Sequence, residues 1–356
     1  MMTLDFLLSA MGVLVFLWRV RPWAKEVDDQ TTTRIDTLAG QMISIIVPCR
    51  NEADHVQSVV KSLMEIQWDQ KEIIVVDDGS TDETYALAKA IPGITVLRAP
   101  PKPECWVGKS WACHHGALLA QGTYLLFTDA DTRHDSKSFA RISQFGKPAD
   151  LLSAPPYHLC ENIFERFLGF FQMLPMVAAP LFSRQKTSRL FAIGQFLLFR
   201  REVYFRIGGH QSVARSLVED LDLAKKIISA GYIYEVYPWA TLYSVQMYGN
   251  FREFCLGWKR LIRLGMRKSS FMAYVELILV IFPFVVWSWV SLPAIFLVAW
   301  GQRRYGRFHI LGAPLAPLSV GLFSVLSVWG LIESLLGFGV NWRGRVYSGG
   351  RQCERG

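Results

Sequence analysis

The stretch IIVVDDGSTDET, residues 73–84, restricts the fold more than any other part of the chain. Four apolar β-branched residues end directly in Asp77 and Asp78, and a Gly-Ser-Thr turn then leads into a helical pattern. Such a run is typical of a buried parallel strand that carries polar side chains at its carboxyl end. Ligands bind at that end in an open α/β sheet. The stretch therefore predicts a parallel sheet with a ligand site at one edge.

Two further segments bring carboxylates to similar positions. The run YLLFT is a second predicted buried strand, and Asp129 and Asp131 follow it. Glu219 and Asp220 stand at the start of a predicted helix. One acidic pair alone is usually a solvated loop or a helix cap. Three such pairs in this order favour one shared site.

The order of the predicted elements indicates an α/β domain. Residues 42–48 and 94–97 are predicted strands, and residues 56–66 and 83–91 have the apolar spacing of helices. With the strand that ends at Asp77, the order becomes strand, helix, strand, helix, strand. This order predicts parallel strands with right-handed crossovers. The expected fold is therefore α/β with a Rossmann-like, mostly parallel sheet.

The carboxylates suit a metal-bound nucleotide diphosphate. Hard divalent cations take oxygen ligands and keep substrate phosphates in their shell, so Asp131, assisted by Asp129, is expected to hold Mg²⁺ or Mn²⁺. The metal would stabilise the charge that develops on the leaving diphosphate. Asp77 and Asp78 are expected to hydrogen-bond the base and the ribose. Asp220 is the expected general base, because a carboxylate there can take a proton from the acceptor.

A basic loop is expected to meet the diphosphate. Gly108, Lys109 and Ser110 follow a proline-rich segment and stand near the start of a predicted helix. Backbone N–H groups and a lysine at such a position bind phosphate well. The alternative is a solvated lysine at a helix start, because the full spacing of a phosphate-binding loop is missing.

Apolar segments near both ends predict membrane anchors around a cytoplasmic domain. Hydrophobic residues make up 51% of the chain, and residues 4–20 approach the roughly 17–25 residues that a span needs. A cleaved signal peptide is the alternative, but the run lacks a basic start and a small-residue cleavage site. The expected division is an anchor at 1–22, a linker at 23–41, a cytoplasmic catalytic domain at 42–268, a transmembrane region at 269–340 and a cytoplasmic tail at 341–356.

Three further apolar segments lie at residues 164–182, 271–300 and 308–340. Residues 271–300 and 308–340 are each expected to form one long or kinked helix, although their prolines leave a tight hairpin as the alternative. Residues 164–182 are interrupted by Gly169 and Pro175. This segment is predicted to be either a buried core helix or an interfacial helix that lets a lipid acceptor reach the site.

Positive charge lies beside the apolar runs. The net charge is +8, and basic residues directly follow the first run and directly precede the second. This arrangement favours membrane flanks and anionic headgroups over nucleic acid. The six cysteines and seven histidines show no spacing typical of a zinc site.

Residues 43–263 resemble inverting family-2 glycosyltransferases of the GT-A type. IIVPCRNE resembles the nucleotide loop of the first strand, VVDDGSTDET the carboxylates that contact the base, TDAD the metal motif, and VEDLDLAKKIISAGY the helix with the catalytic aspartate. The resemblance implies a nucleotide-sugar donor, usually UDP-linked, a divalent metal and in-line attack with inversion. The nucleotide-sugar contacts that it implies are Pro48, Arg50, Glu52, Asp77, Asp78, Lys109, Asp129, Gln195, Glu219, Trp258 and Arg260.

Further motifs resemble the membrane glycosyltransferases of carotenoid and hopanoid biosynthesis. They include WVGKSWACHHGA, GQFLLFRREVYFRIGGH and the terminal WRGRVY. The Gln-x-x-Arg-Trp motif of polymer synthases is missing, and Gly257, Trp258, Lys259 and Arg260 stand in its place. A basic residue for the diphosphate is thus kept, while a tunnel for a growing polymer is not expected.

The expected reaction transfers a hexose, with glucose as the expected sugar, from a UDP-sugar to an apolar membrane acceptor, with inversion. The acceptor is expected to be a carotenoid acid, a hopanoid or another lipid. The expected cofactor is Mg²⁺ or Mn²⁺, and no nucleic-acid partner is expected. The alternatives are a sugar-phosphate nucleotidyltransferase, which would need no membrane spans, and a non-catalytic scaffold that binds a nucleotide-sugar without turnover.

Overall fold

The computed structural model describes residues 4–20, 38–146, 149–178, 190–266, 271–342 and 345–347. The strands are β1 (Ile43–Cys49), β2 (Lys71–Asp77), β3 (Thr95–Arg98), β4 (Tyr124–Phe127), β5 (Thr132–His134), β6 (Leu151–Ser153), β7 (Tyr157–His158), β8 (Leu197–Arg200), β9 (Tyr234–Val236), β10 (Tyr243–Val245), β11 (Val340–Trp342) and β12 (Arg345–Tyr347). The helices are α1 (Leu4–Val20), α2 (Val56–Met64), α3 (Thr84–Lys89), α4 (Gly108–Leu119), α5 (Ser138–Phe145), α6 (Ile163–Phe167), α7 (Gly169–Ala178), α8 (Arg201–Arg206), α9 (Glu219–Ser229), α10 (Phe251–Met266), α11 (Phe271–Val285), α12 (Ser291–Tyr305) and α13 (Ala316–Leu335).

A seven-stranded sheet forms the centre of the α/β domain, which is the predicted catalytic domain. Its strand order is β3-β2-β1-β4-β8-β6-β9. Neighbouring strands are parallel except around β8, which runs antiparallel to both β4 and β6. The prediction of an α/β domain with a mostly parallel sheet is confirmed.

Helices cover both faces of this sheet because successive side chains of a strand point to opposite faces. In β1, Ile45 and Val47 belong to the core that contains Val56 of α2. Ile46 belongs to the core that contains Ala112 of α4. The continuous apolar run of β1 is therefore explained by burial on both faces, as expected for a parallel strand.

The strand register places the polar strand ends at one edge. Cys49 at the end of β1 lies opposite Asp77 at the end of β2. β4 pairs with the other side of β1 and runs in the same direction. A second sheet, with the order β5-β10-β7, begins directly after the turn that follows β4. The loops after β1, β2 and β4 consequently meet at the same edge.

Apolar helices pack together outside the catalytic domain. Arg19, near the end of α1, forms an ion pair with Glu276, near the start of α11, so these two helices run antiparallel. The α7 helix lies among them, since the Phe170 ring is 6.5 Å from the Phe16 ring and 4.6 Å from the Phe284 ring, measured between centroids. Helix α7 therefore joins the catalytic domain to the apolar helices.

The expectation of a single helix from residues 271–300 is wrong. These residues contain α11 and the first part of α12, which are joined by a short turn. The Ser288 N–H donates to Ser291 Oγ (3.0 Å), and the Ser291 hydroxyl donates to the Pro283 carbonyl (2.7 Å), so two serines hold the turn. Residues 308–340 do give one long helix, α13, as predicted.

One described helix, α13, has the length and apolar composition of a membrane span, with 20 residues. Before α13, the His309 N–H donates to the Arg166 carbonyl (2.8 Å). Near its end, Glu333 pairs with Lys259 of α10 (2.5 Å). Both ends of α13 thus contact segments that lead into or out of the catalytic domain. The predicted terminal spans stay predictions.

The apolar segment 164–182 forms α6 and α7 as far as residue 178, and its last residues lie outside the described ranges, as do most of the predicted linker 23–41 and tail 341–356. The side chains of Phe170, Phe171 and Leu174 are fully buried. This burial supports the core-helix alternative for α7.

We predict that Gly116→Ala destabilises the protein. An added Cβ at this residue of α4 would lie 2.5 Å from Ile46 Cγ2 and 3.1 Å from Val76 Cγ2. Overpacking of a filled core costs about 1–3 kcal/mol, so the melting temperature should fall. The matched control is Gly265→Ala in α10, where no atom of the described residues lies within 4 Å of the added Cβ. An unchanged melting temperature in Gly116→Ala would contradict the described packing of α4 on β1.

Candidate active site

A cavity of about 1390 Å³ opens where the loops after β1, β2 and β4 meet, and α10 forms its opposite wall. The predicted site residues that line it are Pro48, Arg50, Glu52, Asp78, Lys109, Asp129, Asp131, Gln195, Glu219, Asp220, Trp258 and Arg260. Segments separated by more than a hundred residues therefore contribute to one cavity. Asp77 is the predicted residue that does not line it.

Asp77 and Asp78 have different surroundings although they are neighbours. The Asp77 carboxylate is 1% exposed, accepts the Ser80 N–H (3.3 Å) and lies 3.5 Å from Arg98 Nε. It therefore holds the turn after β2. Asp78 lines the cavity, and its carbonyl accepts Arg50 Nη1 (2.6 Å). Asp78 can therefore make the predicted contact with a base or ribose, because it lines the cavity. Asp77 does not line the cavity, so its position does not support that contact.

Lys109 lies between two carboxylates at the start of α4. Its Nζ is 2.7 Å from Asp129 Oδ1 and 3.0 Å from Glu219 Oε1. Burial by itself lowers the pKa of Lys109, but these two carboxylates outweigh that effect and hold the pKa well above its usual value. Lys109 is therefore charged at neutral pH, and the alternative of a solvated lysine is wrong.

Asp220 is held by backbone donors. The Gly194 N–H donates to Oδ2 (2.9 Å) and the Leu221 N–H donates to Oδ1 (2.8 Å). The pKa of Asp220 is raised to about 7: burial raises it most and Glu219 adds to this, while Lys109 and the two backbone donors act in the opposite direction. A carboxylate with such a pKa can accept a proton near neutral pH, which is what a general base requires.

Asp129 and Asp131 fit a divalent cation that is shared with a substrate. Within the described ranges, no group of three or more His, Cys, Asp and Glu side chains is arranged to hold an ion. Mg²⁺-type sites commonly use one or two carboxylates and take the remaining ligands from water and substrate phosphates. Asp129 and Asp131 are two such carboxylates on one turn beside the cavity. Their oxygen donors match a hard cation.

Helix α10 supplies the opposite wall. Trp258 packs its ring 5.2 Å from the Phe171 ring of α7, between centroids, and lines the cavity together with Arg260. Gln195 reaches the cavity from the segment before β8, where the Thr128 hydroxyl donates to its backbone carbonyl (2.8 Å). Trp258 and Arg260 thus come from α10, whereas Gln195 lies beside the turn that carries Asp129.

The profile of the family described as Glycosyl transferase family 2 matches residues 44–208. A 4,4'-diaponeurosporenoate glycosyltransferase of Staphylococcus aureus strain N315 is 26% identical over 344 residues, which cover 90% of this chain and 92% of the relative. The enzyme of that name from strain MRSA252 is 28% identical, over 86% of this chain and 88% of the relative. Residues 44–208 therefore form a Glycosyl transferase family 2 domain, and the chain is similar over most of its length to proteins named as glycosyltransferases.

Structural comparison agrees with this family. A mannosyltransferase of Pyrobaculum calidifontis, solved in complex with GDP-Man and Mn²⁺, superimposes with a TM-score of 0.53 over 92% of this chain and 93% of its own. Its sequence identity of 18% restricts this likeness to the fold. The fold of this glycosyltransferase is therefore GT-A-like, and the resemblance seen in the sequence motifs is confirmed.

Arg345 is a charged residue of the glycosyltransferase cavity that is not among the predicted site residues. Arg345 of β12 lines the cavity and places Nη1 2.6 Å from Asp78 Oδ2. The motif WRGRVY contains this arginine. From the sequence, the motif indicates only a basic membrane flank and a resemblance to membrane glycosyltransferases. Nothing in its spacing indicates a contact with a residue that lies 267 positions earlier.

We predict that Lys109→Met lowers stability at pH 7.5. The change leaves Asp129 and Glu219 without their shared cation, and removal of one partner from a buried pair costs about 3–5 kcal/mol. In the wild type, the raised pKa of Lys109 gives stability that is fully present below the unfolded-state pKa and is lost only at strongly alkaline pH. The wild type therefore keeps this contribution at pH 7.5.

The measurement is the melting temperature of the detergent-purified protein at pH 7.5 and pH 5. The deficit of Lys109→Met should shrink at pH 5, because Asp220, whose pKa is about 7, is then protonated and no longer repels Glu219. The control is Lys89→Met, which changes an exposed lysine at the end of α3. A deficit that is equal at both pH values would contradict the charge balance described for Lys109.

Proposed function

We propose that this glycosyltransferase transfers a hexose, glucose in our proposal, from a UDP-sugar to an apolar membrane acceptor, with inversion. The acceptor would be a carotenoid acid, a hopanoid or another lipid. The observation that carries the proposal is that Asp78, Asp131 and Asp220 line one cavity that also has apolar walls. A donor with charged phosphates and an acceptor with an apolar body together need a cavity of this mixed character.

The apolar wall lies on the side of the apolar helices. Met176 of α7, Phe191, Leu256 of α10 and Phe338 after α13 line the same cavity as Asp220. Apolar surface is favourably removed from water at such a wall. An acceptor could keep its body against these side chains while its polar end lies near Asp220.

Transfer would follow in-line displacement at the anomeric carbon. An acceptor oxygen forms the new bond to that carbon, while the bond to the diphosphate oxygen breaks and UDP leaves with the electron pair. For a hydroxyl acceptor, Asp220 takes the proton. A carboxylic acid acceptor is already ionised at neutral pH, so Asp220 would then orient the acceptor more than deprotonate it.

Charge on the leaving diphosphate would be met from two sides. Asp131, assisted by Asp129, would hold Mg²⁺ or Mn²⁺, which when bound stabilises the developing negative charge. Lys109 and Arg260 line the cavity and would face the diphosphate. Asp78 would hydrogen-bond the base or ribose from the end of β2, with Pro48, Arg50 and Glu52 in the adjoining loop.

The names of the similar proteins support parts of this proposal. The S. aureus relatives are named for a carotenoid acid, which supports such an acid among the acceptors. The P. calidifontis protein was solved with GDP-Man and Mn²⁺, which supports a nucleotide-sugar and a divalent metal. The nucleotide in that complex contains guanine, whereas the proposed donor contains uracil. The donor test must therefore compare UDP-glucose with GDP-mannose.

We further propose a multi-pass position in the cell membrane with the catalytic domain on the cytoplasmic side. The antiparallel pair of α1 and α11, together with α12 and α13, forms the membrane part of this proposal. Trp287 and Trp289, in the turn between α11 and α12, are 65% and 85% exposed. Tryptophan is enriched at membrane interfaces, and basic segments such as α10 mark the cytoplasmic side.

The proposal is tested by incubating the purified protein with Mn²⁺, UDP-glucose or GDP-mannose, and carotenoid, hopanoid or sphingoid acceptors. Mass spectrometry of the lipid extract should show a hexosylated product from UDP-glucose. Release of UDP or GDP and free sugar without any lipid product would contradict the proposal. No turnover with any donor would also contradict it.

We predict that Asp131→Ala reduces transfer at least about 100-fold, because a divalent cation contributes several kcal/mol to the stabilisation of the transition state. The assay measures UDP release and lipid product at several Mn²⁺ concentrations. The control is Asp69→Ala, at an exposed residue before β2. Full activity of Asp131→Ala at low Mn²⁺ would argue against a metal role for this residue.

We predict that transfer to a hydroxyl acceptor increases as pH rises through about 7, the pKa of Asp220, because the base must be ionised. Asp220→Asn should remove this pH dependence and lower the rate by about 10²–10⁴-fold. With a carboxylic acid acceptor the loss should be smaller. Equal losses on both acceptors would contradict the role assigned to Asp220.

A further inference from the structure

The end of the described chain returns to the catalytic domain as a hairpin. β11 and β12 pair antiparallel after α13, and the Phe338 carbonyl just before them accepts Arg263 Nη2 of α10. Phe338 and Val340 line the cavity together with Arg345. The hairpin is therefore part of the cavity wall.

Arg345 makes a close ion pair inside this cavity. Its Nη1 lies 2.6 Å from Asp78 Oδ2, and the two side chains are 25% and 7% exposed. Gly108, the first residue of α4, touches the pair so closely that an added Cβ would meet both Asp78 and Arg345. The guanidinium therefore lies at the N-terminus of α4, beside Gly108, which directly precedes Lys109.

Positive charge is concentrated around Asp78. Arg50 donates to the Asp78 carbonyl, and Arg345 pairs with its carboxylate. The pKa of Lys102 is lowered by burial first and then by Arg345, while Asp78 and Glu104 act in the opposite direction. Three basic side chains, together with the start of a helix, form an environment that favours a phosphate anion.

We propose that the C-terminal hairpin supplies Arg345 to the diphosphate site of the donor. The inference rests on the proposed function, since it concerns the same nucleoside diphosphate. Arg345 pairs with the Asp78 carboxylate in the structure. A bound diphosphate competes for the guanidinium and frees the Asp78 carboxylate for the base or ribose. One residue of the donor site thus comes from a segment that lies after the apolar helices α11, α12 and α13 in the sequence.

The test measures binding of UDP and of uridine to the full-length detergent-purified protein by isothermal titration calorimetry. Arg345→Ala should weaken UDP binding about 10- to 100-fold, which is the loss of a charged hydrogen bond. It should leave uridine binding unchanged or tighter, because uridine has no phosphate and Asp78 loses its competitor. Arg345→Lys should recover part of the UDP affinity, and the exposed Arg133→Ala is the control.

A merely structural role for Arg345 gives a different result. The inference is wrong if Arg345→Ala binds UDP as well as the wild type, or if UDP and uridine affinities fall in equal proportion. In both cases normal UDP binding and transfer by the wild type would leave the proposed function in place. If the wild type binds neither UDP nor GDP, the proposed function and this inference are both wrong.

Discussion

The contact of Lys109 with Asp129 and Glu219 is the interaction on which the rest of the site depends. Several carboxylates crowd the same edge of the sheet, and one buried cation holds two of them in place. Without that cation, the negative charges at this edge would lie close together with nothing to balance them. The pKa of Asp220 is raised to about 7, so this carboxylate can exchange a proton near neutral pH.

The sheet explains why these groups meet at all. Parallel strands deliver their ends to one edge, and the register of β1 and β2 brings Asp78 beside the loop of Arg50. The antiparallel β8 then places Gly194, which precedes it, against Asp220. Helices α7 and α10 add an apolar wall, which gives this glycosyltransferase a cavity with one charged side and one apolar side.

Local patterns in the sequence were enough to predict the parallel strands and the cavity position of Asp78, Asp131 and Asp220, because burial and strand direction follow from a few neighbouring residues. The different surroundings of Asp77 and Asp78 were not predictable in this way, since both follow the same strand. Likewise, the turn between α11 and α12 depends on hydroxyl contacts of Ser291, and apolar length alone does not reveal them.

The Arg345 contact shows the other limit of sequence reasoning. Its partner lies 267 positions earlier, and only the path of α13 along α10 brings the two together. The most direct test of the whole account is a structure of the full chain with UDP and Mn²⁺. The account predicts Mn²⁺ on Asp131 and the diphosphate between Lys109 and α10, in the cavity that contains Asp220. Metal or nucleotide bound in a different cavity would contradict it.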